Sequence, residues 1–360
     1  MEFRLLTHAR DIEEAVRSLP SSPGSPDRQI GPPTGAIDAI PPALMVALDG
    51  DTIVGALSLY CQADGRFSDF QRHVFQLARF EHLVQPRQMA IATDLYIRDQ
   101  HSYRDMLQTL LAAAWDYLRL RDVKLCFTDG APERLQFFQE LGLRSYGEPF
   151  NHTSGLSVPL VISTVQWHRQ RQGRDTASTL TGADLAVAHG LRDVLGLSNP
   201  VTCSRLSPDA YRTSIDGLAA RQGQPSIPAF RGFSGRQLQR VLAGGYILEC
   251  SRGVTLMSRA HKTRTIYIVL EGQLLARQYG SGLALHQGDI CGEIAFVMDH
   301  RDPAEVRVIS ERARVLCLDR AVLREVAEEQ PVLASRLLSN LTQVVNSQNQ
   351  LGPMNRRLAS

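Results

Sequence analysis

Apolar runs with strand periodicity alternate with runs of helical periodicity over the first half of the chain. Two β-rich runs flank Asp49-Gly50-Asp51, and an Asp-Gly step between such runs predicts a hairpin. From Met106 onward, apolar residues recur at helical spacing, which predicts a long helix between two further strands. The pattern predicts strands over 44–48, 52–59, 90–97, 123–127 and 156–162, and helices from 106 and over 132–141.

The second half of the chain has a different pattern. From Gly245 to Leu318, short β runs are separated by Gly and Asp turns, which predicts a β-barrel or jelly roll. Two helices follow, one capped by Asp319 and one that starts at Pro331. The apolar face of the last helix allows two interpretations, a homodimer interface or packing against its own barrel.

Polar and Pro- or Gly-rich stretches divide the chain. Residues 19–42 form a predicted exposed loop, and the polar stretches 165–180 and 221–228 mark boundaries around two predicted helices, 182–195 and 208–220. The sequence predicts an α+β protein of two domains. These are a mixed sheet with flanking helices over 1–164, a helical linker over 165–227, a jelly roll or barrel with C-terminal helices over 228–346, and a tail over 347–360.

Composition excludes several classes of protein. Hydrophobic residues at 43% and charged residues at 21% are typical of a globular protein rather than a fibrous or disordered one. A net charge of +2 creates no field for nucleic acid, and the segment Ser347–Ser360 is too short for a DNA-reading unit, so no DNA partner is expected. The chain contains no apolar run of membrane-spanning length, and its six cysteines are scattered, so we expect a cytoplasmic protein with reduced thiols and no metal site.

Three phrases in the second half resemble the cyclic-nucleotide-binding domain. They are F-x-G-F-S-x-x-Q-L at 230–238, I-Y-I-V-L-E-G at 266–272 and L-x-x-G-D-I-C-G-E-I-A at 285–295, and the resemblance covers about 228–345. It implies a pocket for a cyclic nucleotide effector. In this resemblance Glu293 takes the ribose hydroxyl, while the amides of Ile294 and Ala295, after Gly292, face the phosphate.

The arginine that anchors the phosphate in this family is displaced. Family members carry it ten positions after the glycine, where this chain has Asp302, and Glu305 stands where they carry a threonine. Carboxylates at these positions repel a phosphate. Arg301 is adjacent, and a one-residue adjustment of the loop brings its guanidinium into place.

The first half resembles the N-acetyltransferase-like (GNAT) superfamily. The resemblance rests on D-L-Y-I at 94–97, Y-R at 103–104, the helix that follows, and R-L-Q-F-F-Q-E-L-G-L-R at 134–144. It implies a V-shaped opening between two strands, where the pantetheine of an acyl thioester pairs with Leu95, Tyr96 and Ile97. The helix start at Tyr103 and Arg104 then receives the pyrophosphate.

The same region departs from enzymes that use coenzyme A. The segment 98–108 has no glycine, whereas such enzymes place glycines there, and Phe138 stands where a tyrosine often acts as general acid. The closing phrase L-G-L-R-S-Y-G-E-P-F resembles N-acyl amino acid synthases and autoinducer synthases, which take acyl chains from an acyl carrier protein. An acyl thioester on acyl carrier protein or coenzyme A is therefore the expected donor.

Two functions fit these observations. The first is N-acyl transfer to an amine, with Asp94 and Glu81 as candidate catalytic carboxylates and with His82 or His101 as further candidate bases. A regulatory cyclic-nucleotide-binding domain would then bias the reaction. The second is a non-catalytic sensor or adaptor in which both sites are degenerate, and the missing glycines and Phe138 favour it.

Overall fold

The computed structural model describes residues 2–19, 43–62, 67–98, 103–152, 155–163, 166–167, 181–195, 201–205, 227–258, 265–278, 281–298 and 304–350. The chain divides into two compact units. The first comprises Met1–Gly130, Phe137–Gly147 and Pro159–Asn199, and the second comprises Ala131–Gln136, Glu148–Val158 and Pro200–Ser360. The predicted helix over 208–220 lies outside the described residues.

The first unit is built on a mixed sheet. Its strands are β1 (Glu2–Leu6), β2 (Ala43–Asp49), β3 (Thr52–Cys61), β4 (Met89–Ile97), β5 (Leu125–Gly130), β6 (Arg144–Ser145) and, after β7 (Phe150–His152), β8 (Gly155–Ser163). The strand order is β1-β2-β3-β4-β5-β8-β6. Neighbours from β1 to β4 are antiparallel, whereas β4 and β5 are parallel. The short strand β7 pairs with the first residues of β8, and these two segments belong to the second unit.

Helices cover both faces of this sheet. They are α1 (Ala9–Ser18), α2 (Asp69–Val74), α3 (Tyr103–Leu120), α4 (Leu135–Glu140) and α5 (Gly182–Leu195), with 3₁₀ turns at Leu77–Phe80, Pro86–Gln88 and Pro132–Arg134. Gly55 of β3 lets α3 approach closely, because a Cβ there would lie 3.0 Å from Leu110. Successive residues of a strand point to opposite faces, so Ala56 faces away from α3. It packs in a cluster with Ile12 and Ala15 of α1.

A second apolar cluster lies on the same face as Ala56. It joins Phe80 and Ile91 to Leu191 of α5, so α5 packs on the core of the first unit. The sequence places this helix in the linker over 165–227. That segment also contains a strand, β9 (Val201–Arg205), which the apolar pattern does not predict.

The second unit contains two sheets. Its remaining strands are β10 (Tyr246–Ser251), β11 (Thr255–Met257), β12 (Thr265–Glu271), β13 (Leu274–Gln278), β14 (Ser281–Leu285), β15 (Ile290–Cys291), β16 (Glu305–Val308) and β17 (Arg312–Asp319). The strand orders are β15-β12-β17-β10-β9 and β11-β16-β13-β14. This arrangement is the jelly-roll-like fold that the spacing of short β runs predicts.

Helices and a 3₁₀ turn in the described part of the chain accompany these sheets. They are α6 (Gly235–Leu242), α7 (Glu293–Met298), α8 (Arg320–Glu329) and α9 (Pro331–Gln350), with the turn at Pro228–Phe230. Leu337 and Leu341 of α9 are buried against Ile268 and Leu316 of the larger sheet. The last helix therefore packs on its own barrel, while a homodimer remains a prediction. No helix within the described ranges has the length and apolar character that a bilayer crossing requires.

Candidate functional site

The parallel ladder between β4 and β5 is shorter than β4. It pairs Met89–Ala92 with Leu125–Thr128. Among the described residues, β4 then continues from Thr93 to Ile97 with β3 as its recorded neighbour. We call the pair Ala92–Thr128 the ladder end. Beyond this pair, one side of β4 faces away from β3. We call this side the outer edge of β4.

A β-bulge follows the ladder end directly. Ser58 of β3 lies opposite Thr93, but Ala56 lies opposite Tyr96, so β4 carries one extra residue between these pairs. Asp94 occupies this bulge with a left-handed backbone, at a φ of 55°. Aspartate tolerates this conformation better than most residues do. The bulge therefore sets the Asp94 carboxylate beside the ladder end.

Polar side chains surround Asp94 on one face of the sheet. The Thr93 hydroxyl donates a hydrogen bond from Oγ1 to Asp94 Oδ2 over 3.1 Å. Burial, and then the negative charge of Asp94, raise the pKa of the Tyr60 phenol well above its usual value, so Tyr60 stays neutral. The Ser58 side chain is buried on the same face. The site is therefore a carboxylate with three neighbouring hydroxyl groups.

Glu81, the second candidate carboxylate, lies in a different setting. It directly follows the 3₁₀ turn at Leu77–Phe80 and forms an ion pair with Arg72 over 3.7 Å. The two side chains are 45% and 38% exposed, so solvent screens the pair. His82 is exposed next to Glu81, and His101 lies outside the described residues.

The candidate donor-binding residues lie along the outer edge of β4. The Arg98 amide donates to the Val54 carbonyl over 2.9 Å, and amide direction alternates along a strand. The amides of Leu95 and Ile97 therefore point away from β3, whereas the Tyr96 ring is buried near α1. The helix α3 begins at Tyr103, three residues before the start that the apolar spacing predicts, so Tyr103 and Arg104 lie in its first turn. The residues between Arg98 and Tyr103 lie outside the described part of the chain.

Phe138 packs at the end of β5. A Cβ on Gly130 would lie 2.5 Å from the Phe138 ring, so the ring rests directly on the backbone of the glycine. The ring is buried, with 4% of its surface exposed. A phenyl group carries no ionisable proton, so Phe138 cannot act as a general acid.

The second candidate site begins with Gly292 in the second unit. Gly292 has a φ of 85°, which favours glycine, and its carbonyl accepts a hydrogen bond from the Phe296 amide over 3.1 Å. Glu293 starts α7 and is 3% exposed. Arg320 donates to the Phe296 carbonyl over 2.9 Å, which fixes the helix. Ile294 and the backbone of Ala295 lie in its first turn, next to Glu293.

The residues after α7 are only partly described. Arg301 and Asp302 lie outside the described residues, so the placement of the candidate arginine stays a prediction. Glu305 starts β16, and the register sets it opposite Arg277 of β13. Opposite charges across a strand pair attract each other. Glu305, which the sequence places near the phosphate, therefore faces a positively charged residue across the β13–β16 pair.

Three residues of the first site are absent from the candidates that the sequence analysis names. Ser58, Tyr60 and Thr93 surround Asp94 because of the register between β3 and β4. A serine within the apolar run T-I-V-G-A-L-S-L-Y is the signal that could have identified this position. Its polarity is unusual for a buried strand.

Comparison with protein families identifies the second unit. The family model of the cyclic nucleotide-binding domain matches residues 247–330. The C-terminal part of the chain is therefore a cyclic nucleotide-binding domain with a jelly-roll-like fold, of the kind that serves regulation. No curated protein matches the chain significantly in sequence.

Solved structures similar to the chain include three proteins from different organisms. A cyclic nucleotide-binding domain from Methylobacillus flagellatus is 16% identical over 42% of this chain and 84% of its own, with a TM-score of 0.36. The catabolite activator protein of Thermus thermophilus is 16% identical over 34% and 60%, with a TM-score of 0.31. The regulatory domain of Toxoplasma gondii PKA, crystallised with cAMP, is 13% identical over 54% and 58%, with a TM-score of 0.31.

Proposed function

We propose that the first unit transfers an acyl group from a thioester to an amine, and that the cyclic nucleotide-binding domain regulates this transfer. One observation carries the proposal. The β4–β5 ladder stops at Ala92–Thr128, and the next residues of β4 form a bulge that holds the carboxylate of Asp94. A strand edge beside a carboxylate suits an extended thioester arm and an amine that must lose a proton.

The donor in this proposal is an acyl thioester on acyl carrier protein or coenzyme A. The amides of Leu95 and Ile97 point to the side of β4 on which pairing with β5 has stopped, and they can bond the amide groups of a pantetheine arm. The first turn of α3, at Tyr103 and Arg104, can offer backbone amides to a phosphate. Asp105 in the same turn disfavours a pyrophosphate, which supports acyl carrier protein over coenzyme A.

The proposed chemistry conserves atoms and protons. An ammonium group gives one proton to the Asp94 carboxylate, and the resulting amine attacks the thioester carbonyl carbon. The new C–N bond forms as the C–S bond breaks, and an amide on the outer edge of β4 stabilises the oxyanion that develops. The thiolate takes up the proton that Asp94 holds, which regenerates the carboxylate, and the second proton of the amine leaves to solvent. Tyr60 stays neutral beside Asp94 and does not compete for these protons.

The regulatory ligand in this proposal is a cyclic nucleotide. Gly292 and the start of α7 would face the phosphate, and Glu293 would accept the ribose hydroxyl. Arg301 would supply the positive charge that the family's arginine supplies elsewhere. Calorimetric titration with cyclic AMP and cyclic GMP tests this part. We expect saturable binding that Glu293→Gln weakens at least about tenfold, and the absence of heat with both nucleotides at millimolar concentration would contradict it.

The transfer itself is tested by thiol release from the full-length protein. Acyl carrier protein and coenzyme A thioesters of several chain lengths are incubated with a panel of amino acids, and the products are identified by mass spectrometry. We expect an amide product that depends on the protein and on the amine. No thiol release above the protein-free rate with any donor would reject the transferase proposal.

A second candidate function has its own supporting observation. The buried Phe138 ring rests on Gly130 at the end of β5, where a transferase of this superfamily often has a tyrosine. This favours a non-catalytic sensor or adaptor that keeps the strand edge for binding only. Native mass spectrometry separates the two functions. A sensor retains a thioester or an amine unchanged, whereas a transferase converts the pair into an amide and a thiol.

A further inference from the structure

Two segments of the second unit carry arginines but no carboxylate. Residues 227–246 contain three arginines and residues 331–350 contain one, and neither segment contains aspartate or glutamate. The whole chain balances 39 basic residues against 37 acidic ones. The charge of these two segments therefore departs from the balance of the whole chain.

The fold brings the two segments together. The Arg336 guanidinium of α9 donates to the Gly232 carbonyl over 2.9 Å. One turn later, Asn340 Nδ2 donates to the carbonyls of Ala229 and Arg231 over 3.0 Å and 2.9 Å. Arg231 and Arg336 therefore belong to one surface, although they are distant in sequence.

Helix α6 extends this surface. Arg236 and Arg240 are four residues apart on the helix, so their side chains lie on the same face. Both side chains are exposed, as are those of Arg231 and Arg336. We call these four residues the arginine surface.

The arginine surface lacks acidic partners. Exposed arginines of the first unit pair with glutamates, as Arg4 does with Glu2 and Arg17 does with Glu13. Within the described part of the chain, no member of the arginine surface forms an ion pair. Its positive charge is therefore available to an anionic partner.

The neighbouring helix α8 limits the surface on one side. It ends with the exposed carboxylates of Glu328 and Glu329, shortly before Pro331 starts α9. Arg336 lies about 8 Å further along α9, at the helical rise per residue. The two carboxylates therefore border the arginine surface at the start of α9 and are not interleaved with its arginines.

The surroundings of the arginines favour a lipid surface over a nucleic acid. Among the described residues of the second unit, the exposed large apolar side chains are Val332 and Leu338, and both belong to α9. Basic and apolar side chains together are typical of a helix that lies at a membrane interface. Nucleic acid bases stack on exposed aromatic rings, but Phe230 is buried and the Arg336 guanidinium lies over the Phe233 ring.

We infer that the arginine surface binds the phosphate groups of an anionic membrane. A guanidinium group suits this partner, because its planar set of donors matches two phosphate oxygens. The binding is peripheral and electrostatic, so it weakens as the salt concentration rises. This inference goes beyond the proposed acyl transfer and does not depend on it.

Sedimentation of the full chain with lipid vesicles tests the inference. We expect binding to phosphatidylcholine vesicles that contain about 30% phosphatidylglycerol, and none to phosphatidylcholine alone. Arg236→Gln combined with Arg240→Gln should weaken this binding about twentyfold, since each arginine near an anionic surface contributes about fivefold. The structure records no hydrogen bond from either guanidinium to a described residue, so the midpoint of thermal unfolding should not change.

Arg4→Gln combined with Arg17→Gln is the matched control. It removes the same charge from exposed arginines that have acidic partners, and it should leave vesicle binding within about twofold. Equal weakening by the two double variants would assign the binding to net charge and overturn the inference. The absence of binding to the anionic vesicles would also overturn it, as would binding to an RNA or DNA oligonucleotide in place of vesicles. Thiol release enters none of these measurements, so failure of the transferase proposal leaves the test intact.

Discussion

Asp94 combines a left-handed backbone with a carboxylate at the ladder end, and this combination allows a clean substitution. Asparagine tolerates a positive φ as well as aspartate does, so Asp94→Asn should keep the bulge and remove the base. We expect the transfer rate to fall at least about a hundredfold, as is typical when a general base is removed. Thermal unfolding should remain within a few degrees of the wild type.

The chain offers a matched control for this substitution. Asp122 has the same φ of 55° but lies after α3, where it bonds Gln88 and Lys124. Asp122→Asn should leave the transfer rate within about twofold. Glu81→Gln tests the other candidate carboxylate. A hundredfold loss with Glu81→Gln and none with Asp94→Asn would move the base to Glu81.

Gly272 provides a test, by a single substitution, of what stabilises the second unit. It connects β12 to β13 with a φ of 84°, and a Cβ there would collide with the Arg312 carbonyl and lie 2.7 Å from Ser310 Oγ. We expect Gly272→Ala to lower the free energy of unfolding by about 3 kcal/mol or more. Chemical denaturation monitored on the second unit gives this value.

Gly232 is the control for that experiment, because it separates the cost of a left-handed backbone from the cost of a steric collision. Its φ is 78°, and among the described residues nothing lies within 4 Å of a Cβ placed there. Gly232→Ala should cost only the left-handed backbone, about 1 kcal/mol. If both variants lose the same free energy of unfolding, the structure around Gly272 accommodates the added Cβ without an energetic cost.

The sequence identifies some residues of the first site and misses others for a physical reason. Asp94 can be chosen from the sequence because it is a carboxylate within an apolar strand. Its backbone conformation and its neighbours Ser58 and Tyr60 depend on the register between β3 and β4. A single bulged residue changes that register, and hydrophobic periodicity cannot locate it.

At the scale of elements, one ionic cluster attaches α5 to the first sheet. Lys124 Nζ lies 2.9 Å from Asp122 Oδ1 and 2.9 Å from Asp184 Oδ1 of the helix, whose side chain is 8% exposed. Asp184 also accepts hydrogen bonds from Thr181. We expect Asp184→Asn to lower the free energy of unfolding by about 2 kcal/mol. The exposed Asp193 on the same helix is the control, and Asp193→Asn should cost under about 0.5 kcal/mol.

The contribution of Asp184 should depend on pH. Burial alone raises the pKa of this carboxyl, but hydrogen bonds from Lys124 and Thr181 outweigh it and hold the pKa below the ordinary value of 3.8. A lowered pKa stabilises the fold above the unfolded value, and this stabilisation is lost as the pH falls through the folded value. The difference between wild type and Asp184→Asn should stay constant above about pH 5 and shrink below pH 3.8. A difference that grows on acidification would contradict this assignment.

Elements with strong periodicity are predicted closely, and weakly patterned edge strands are not. The predicted strand 52–59 is confirmed as Thr52–Cys61, and the predicted helix 182–195 is confirmed as Gly182–Leu195. No residue of the strand Glu2–Leu6 is fully buried, so little apolar alternation marks it. The strand Val201–Arg205 is recorded at the edge of its sheet against β10, a pairing between segments distant in sequence. Local pattern carries no information about such partners.

At the scale of the whole molecule, regulation requires that the nucleotide bind two states of the protein with different affinity. Thermodynamic linkage then requires that the two ligands affect each other's binding equally. If a cyclic nucleotide changes the affinity for the thioester by some factor, the thioester changes the affinity for the nucleotide by the same factor. We expect a factor of about five or more in both directions, which is the usual range of coupling between two sites.

The measurement uses a ketone analogue of an acyl thioester, which binds without reacting. Nucleotide affinity is determined by calorimetry with and without the analogue, and analogue affinity is determined with and without the nucleotide. If each ligand changes the affinity for the other by the same factor, and this factor differs from 1, the two binding sites are coupled through one equilibrium. Unchanged affinities in both titrations would mean that the nucleotide domain does not regulate binding in the first unit. Asp94→Asn should preserve the coupling, because it removes the base and leaves the amides of the strand edge in place.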